Sequence, residues 1–86
     1  MDENARLLVE MTYNMLSEER AKAAYMWRNR NASESLYYEA KWDNCVDDME
    51  ELEESARKDG YKFIATGTRV KGKVQSDVYT LVKISE

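Results

Sequence analysis

Residues 43–54 read DNCVDDMEELEE, and residues 57–61 read RKDGY. The first stretch carries seven carboxylates and no base. Beneath the acids runs an apolar series, Tyr38, Trp42, Cys45, Met49, Leu52 and Ala56, in steps of four and three. That spacing puts these side chains on one stripe of a helix. The second stretch ends the helix. Basic residues occupy its last turn, Gly60 suits a left-handed cap, and apolar Tyr61 follows. One helix therefore hides a narrow apolar seam, shows water a dense negative face, and stops at residue 60.

Outward from this segment, proline is absent and glycine occurs only at 60, 67 and 72, so nothing breaks the first 59 residues. A first helix is expected from about residue 3 to 30, opening on acids that favour the positive end of the helix dipole. Ala5, Leu8, Val9, Thr12 and Leu16 share one face, continued by Ala23, Met26 and Trp27. Met11 and Met15 widen the stripe, which predicts cover on more than one side. Ser17 before Glu18 and Glu19 offers a cap that would split this helix in two. The polar run Asn29 to Ser33 is the expected turn, and Asn31 with Glu34 has capping-box-like spacing. The second helix then covers about residues 33 to 59, antiparallel to the first. Tyr25, Trp27, Tyr37, Tyr38 and Trp42 are expected to cluster where the two helices join.

Beyond Gly60 the period changes from helical to alternating. Tyr61, Phe63 and Ala65 alternate with Lys62, Ile64 and Thr66, and Val78, Thr80, Val82 and Ile84 alternate with Tyr79, Leu81 and Lys83. Both runs are rich in β-branched and aromatic residues, so strands are expected over about 61–70 and 77–84. The turn between them falls at Lys71-Gly72-Lys73 or extends through Val74-Gln75-Ser76-Asp77. The fold class read from the sequence is thus α+β, an antiparallel helical hairpin followed by an antiparallel β-hairpin, in one domain over residues 1–86.

Length and composition narrow the function. A chain of 86 residues has a marginal core. It has one cysteine and no histidine, so neither an internal disulfide nor a zinc site supports it. Self-association, through the heptad seam or the hairpin, or a permanent partner is the expected support. Cys45 lies on the seam among acids and reads as a small core residue. The single thiol, the absence of a signal-like start and the absence of a long apolar run point to a cytoplasmic protein with no membrane contact. The sequon Asn31-Ala32-Ser33 reads as coincidence in that setting. No histidine, phosphate-binding glycine loop or nucleophile elbow is present, so the chain reads as no enzyme and implies no cofactor or metal.

The formal charge of −4 is unevenly spread. Residues 1–20 carry −3, residues 21–31 carry +3, residues 32–59 carry −7 and residues 60–86 carry +3. With about 100° per residue, Asp43, Asp47, Glu50 and Glu54 point away from the seam, flanked by Asp48 and Glu51. Neighbours on this stripe stand about 5–6 Å apart, near the spacing of successive phosphates. These six acids are the candidate contacts to a partner protein with a basic surface. If that surface holds DNA or RNA, the outcome is inhibition by nucleic-acid mimicry. In size, charge and economy the chain resembles the small acidic proteins that phages use against host nucleic-acid-handling systems. The alternative is a nucleic-acid-binding regulator using Arg28, Arg30, Arg69, Lys71 and Lys73. With a break at Ser17, three helices and a hairpin resemble a winged-helix domain, which implies the hairpin as wing. The acidic helix would then take the recognition position, where phosphates repel it. The plainer readings are a solvated face for the acids and strand-edge protection for the hairpin bases.

Overall fold

The computed structural model describes residues 1–29 and 34–85. Two helices, α1 (Glu3–Arg28) and α2 (Ser35–Lys58), precede two strands, β1 (Tyr61–Lys71) and β2 (Val74–Lys83). The arrangement is α+β, and the strands form one antiparallel hairpin. The turn expected over residues 29–33 lies, apart from Asn29, outside the described residues.

Local chemistry accounts for the ends of these elements. The Asp2 side chain accepts from the Ala5 amide at 2.8 Å and caps α1. In the first turn, the Arg6 guanidinium lies 2.6 Å from Glu3 and holds its carboxyl below the ordinary carboxylate range. At the far end of α2, Gly60 takes a φ of +83°, and its amide donates to the Arg57 carbonyl. The Gly60 carbonyl then accepts from the Ile84 amide at 2.8 Å, tying the helix end to the base of the hairpin.

Of the two courses open to the first helix, the continuous one is formed, and α1 runs unbroken through Ser17. That residue is buried, and its hydroxyl donates to the Asp77 carbonyl at 2.8 Å instead of capping a helix. The three-helix order of a winged-helix domain is therefore not formed by the described residues. The hairpin turn is the tight pair Gly72-Lys73, with Lys71 opposite Val74. Gly72 has a φ of +62°, as a two-residue loop with glycine in first place requires. Residues 74–77 are strand, not loop, because the short turn lets β2 pair from Val74 onward.

The helices pack antiparallel. Thr12 and Leu16 border a groove with Leu52 and Ser55, while Ala23 and Met26 face Tyr37, Tyr38 and Lys41. The α2 seam is buried at Cys45, Met49 and Ala56. From Cys45 to Ala56 it is used inside the chain, against α1, while Trp42 near its start stays 41% exposed.

The buried face of α1 overlaps the one its apolar spacing predicts at Val9, Leu16 and Ala23, but is turned away from its Leu8–Met11–Met15 margin. Tyr13, Ser17 and Ala23 are buried, whereas Leu8, Met11 and Met15 are exposed. The reason is the hairpin. α1 lies along the outer edge of β2 and meets its free backbone groups with polar side chains. The Tyr79 amide donates to Asn14 Oδ1 at 2.7 Å, and Asn14 Nδ2 donates to the Tyr79 carbonyl at 2.9 Å. The Leu81 amide donates to Glu10 at 2.8 Å, and Arg6 donates to the Leu81 carbonyl at 3.1 Å. Arg6, Glu10, Asn14 and Ser17 thus act as a surrogate third strand. A buried edge without such partners would cost about 1–3 kcal/mol for each unpaired group.

The centre of the core is aromatic. Tyr13 stacks on Phe63 with ring centroids 3.8 Å apart and meets Tyr79 edge-on at 5.0 Å. Leu81, paired with Phe63 across the strands, is almost wholly buried beside them. A bulge between Ala65 and Gly67 leaves Thr66 without a cross-strand partner. Its hydroxyl instead lies 2.9 Å from that of Thr80.

Candidate functional site

The acidic face of α2 is built by the same periodicity that buries its seam. With Cys45, Met49 and Ala56 turned to α1, residues half a turn away must face solvent. Asp43, Asp47, Asp48, Glu50, Glu51 and Glu54 are all exposed. Asp48 and Glu51 also border the groove between the helices, beside Thr12, Leu16, Leu52 and Ser55. Glu53 is also exposed but is set apart from these six by its partner, since it accepts a hydrogen bond from the Tyr13 hydroxyl at 2.6 Å.

Among the described residues, the only base paired with any of the six is Lys58, 3.9 Å from Glu54 on an exposed turn. Exposed pairs of that kind contribute at most about 0.5 kcal/mol. The other bases that form ion pairs are engaged with acids elsewhere. Arg6 bridges Glu3 and Glu10, and Lys41 lies 3.4 Å from Glu19. Arg69 and Lys71 converge on Glu18 at 3.3 and 3.0 Å. The Lys71 ammonium, with Arg69 beside it, holds the Glu18 carboxyl below its ordinary range. The negative potential of the α2 face is therefore little offset within the chain.

The basic residues of the alternative reading are placed differently. Arg69 and Lys71 are drawn onto α1 by Glu18, so the hairpin neutralises helix one, not helix two. Lys73 is exposed in the turn, and Arg28 is exposed in the last turn of α1. Arg30 lies outside the described residues. An acid thus sits at the centre of this basic group, which weakens its attraction for phosphate.

The expected aromatic cluster forms only in part. Tyr37 and Tyr38 meet edge-on with centroids 5.0 Å apart. Tyr25 instead lines a groove between α1 and the hairpin tip, with Met15, Met26, Lys71 and Val74. Cys45 is a buried core thiol whose pKa burial pushes up, the direction opposite to nucleophilic activation. Among the described residues, no three Cys, Asp or Glu side chains converge to hold a metal ion, and no helix is long and apolar enough to cross a membrane.

Sequence reasoning passed over Tyr13 and the polar residues Arg6, Glu10 and Asn14, and gave Ser17 a capping role instead of a place in their row. The signal was present as polar residues at helical spacing. A solvated helix face has the same pattern, so nothing in the sequence separates the two. No protein-family model, curated protein or solved structure matches the chain.

Proposed function

We propose that this protein is a small acidic interaction module. It engages a basic surface of another protein, one built to hold nucleic acid, through Asp43, Asp47, Asp48, Glu50, Glu51 and Glu54, and so competes with the nucleic acid. The observation that carries this reading is the mismatch in pairing. The chain's ion-paired bases meet other acids, yet the outward face of α2 keeps a row of carboxylates with one weak partner at its end. Like charges this close repel by a few tenths of a kcal/mol per pair. A solubilising role needs neither such density nor such alignment. A basic partner would turn that repulsion into attraction and speed encounter by electrostatic steering.

The test uses the variant Asp43→Asn, Asp47→Asn, Glu50→Gln and Glu54→Gln. A nuclease-treated bacterial lysate is passed over wild type and variant. The expected result is a protein retained by wild type, lost by the variant, and displaced from wild type by added DNA or RNA. Equal retention by both proteins, or a captured protein that nucleic acid does not displace, would refute the reading.

A further inference from the structure

We infer that the groove between α1 and the hairpin tip binds a small amphipathic carboxylate, its apolar body on Met15, Met26 and Val74 and its head at Lys22 and Ser76. The groove has a volume of about 560 Å³, within the range of roughly 300–1,000 Å³ usual for ligand pockets. One wall is a stripe of α1, on which Met15, Glu18, Lys22 and Met26 follow at helical spacing. The other is the hairpin tip, where Val74 and Ser76, two apart on β2, turn the same way. None of the six acids proposed to meet a partner lines it.

Two independent observations point to the ligand. The first is Ser76. It is 6% exposed, yet among the described residues its hydroxyl makes no hydrogen bond. The other buried serine, Ser17, donates to the Asp77 carbonyl, which is the ordinary state of a buried hydroxyl. An unpaired hydroxyl on the wall of a groove is free to donate to a bound acceptor. The second observation is charge. Glu18 and Glu19 line the groove, but both are neutralised within the chain. Glu18 meets Arg69 and Lys71 at 3.3 and 3.0 Å, and Glu19 meets Lys41 at 3.4 Å. Lys22 lines the same groove and forms no ion pair among the described residues. Asp77 alternates to the opposite face of β2. Four bases therefore stand against two acids, a surplus of two positive charges.

That surplus selects an anion over a cation. The apolar floor selects what the anion carries. Methionines adapt to the shape they meet, and half-buried Tyr25 adds an aromatic wall. Inorganic phosphate would leave this floor wet, and a bare hydrocarbon would leave Lys22 and Ser76 without a partner. A carboxylate accepts from the Ser76 hydroxyl and from the Lys22 ammonium, whose flexible stem brings the charge to it. From Met15 to Met26 the helix runs about 16 Å, long enough for the extended chain of octanoate.

The experiment titrates the isotopically labelled full chain with octanoate and, separately, with octylammonium, octanol and acetate, and reads amide and methionine-methyl shifts by NMR. Octanoate is expected to saturate with a Kd below about 1 mM at low salt, with shifts centred on Lys22, Val74, Ser76 and the methyls of Met15 and Met26. The other three probes are expected to bind about tenfold more weakly or not at all. Lys22→Gln should weaken octanoate about fivefold and lower its salt dependence. Ser76→Ala should weaken it about threefold and leave Tm unchanged or raised, because no internal hydrogen bond is lost. Failure of octanoate to saturate, shifts centred away from the groove, octylammonium binding as tightly as octanoate, unchanged affinity in Lys22→Gln, or a fall in Tm in Ser76→Ala would each overturn the inference. The four-acid variant above is expected to bind octanoate as wild type does, so this test and the partner test fail separately.

Discussion

Tyr13 stands where the two helices and the hairpin meet, and its hydroxyl and ring answer to different partners. The ring stacks on Phe63, and the hydroxyl donates to Glu53. Tyr13→Phe keeps the stack and removes the charge-assisted hydrogen bond, with an expected cost of about 1.5–3 kcal/mol by urea unfolding. Tyr13→Ala opens the core and is expected to cost about 3–5 kcal/mol. Burial and the Glu53 carboxylate push the Tyr13 pKa up. The unfolded phenol ionises first as pH rises past its ordinary value near 10, so the stability this site provides is present below that pH and lost above it. Tyr13→Phe should flatten that alkaline loss. Glu18 has the opposite sign, because its pKa is lowered by Lys71 and Arg69. Its contribution is complete above the unfolded carboxyl value near 4.3 and disappears as pH falls through the lower folded value. Amide shifts at Lys71 and Gly72 should therefore move in acid together, and Glu18→Gln should abolish that step.

At the scale of elements, the hairpin is held less by its own two strands than by the helix along its edge. Two strands alone are marginal in water. Here four α1 side chains satisfy the outer backbone groups of Asp77, Tyr79 and Leu81. Asn14 meets both groups of Tyr79, so Asn14→Leu leaves a donor and an acceptor unpaired in a half-buried place. The expected cost is about 2–4 kcal/mol, at roughly 1–3 per group with some relief from water. Hydrogen exchange at the Tyr79 amide should quicken by more than that at Met49, which lies in the α1–α2 contact. Equal acceleration at both would mean that the helix and the hairpin unfold as one unit.

Across the whole molecule, charge is segregated. α2 faces outward as an acidic surface, while Arg69 and Lys71 fold back onto α1. Neutralising Asp43, Asp47, Glu50 and Glu54 removes several repulsions of a few tenths of a kcal/mol each, so the variant should be as stable as wild type or more so, by up to about 1 kcal/mol. For a domain of this size that gain raises Tm by about 4–8 °C. It should shrink as salt rises, because exposed charges are screened. A fall in Tm would mean that these acids support the fold, and loss of partner binding in the variant would then have a structural cause.

The sequence by itself determined the elements of this protein. Heptad spacing, the Gly60 stop and the change to alternation at Tyr61 act through residues near one another in the chain, so two helices, a hairpin and the acidic face of α2 were legible there. The tight turn was legible only in outline, since Gly72 marks its place but not how far pairing extends into residues 74–77. The tertiary structure alone decided which side of α1 is buried. Apolar spacing favoured the Ala5–Leu8–Val9–Thr12–Leu16 face widened by Met11 and Met15, but the edge of β2 needs hydrogen-bond partners, and Arg6, Glu10, Asn14 and Ser17 supply them. That demand is set by backbone groups sixty or more residues away. It outweighs the burial of a few methionines, because a polar group left unpaired inside a protein costs more than an apolar side chain left in water.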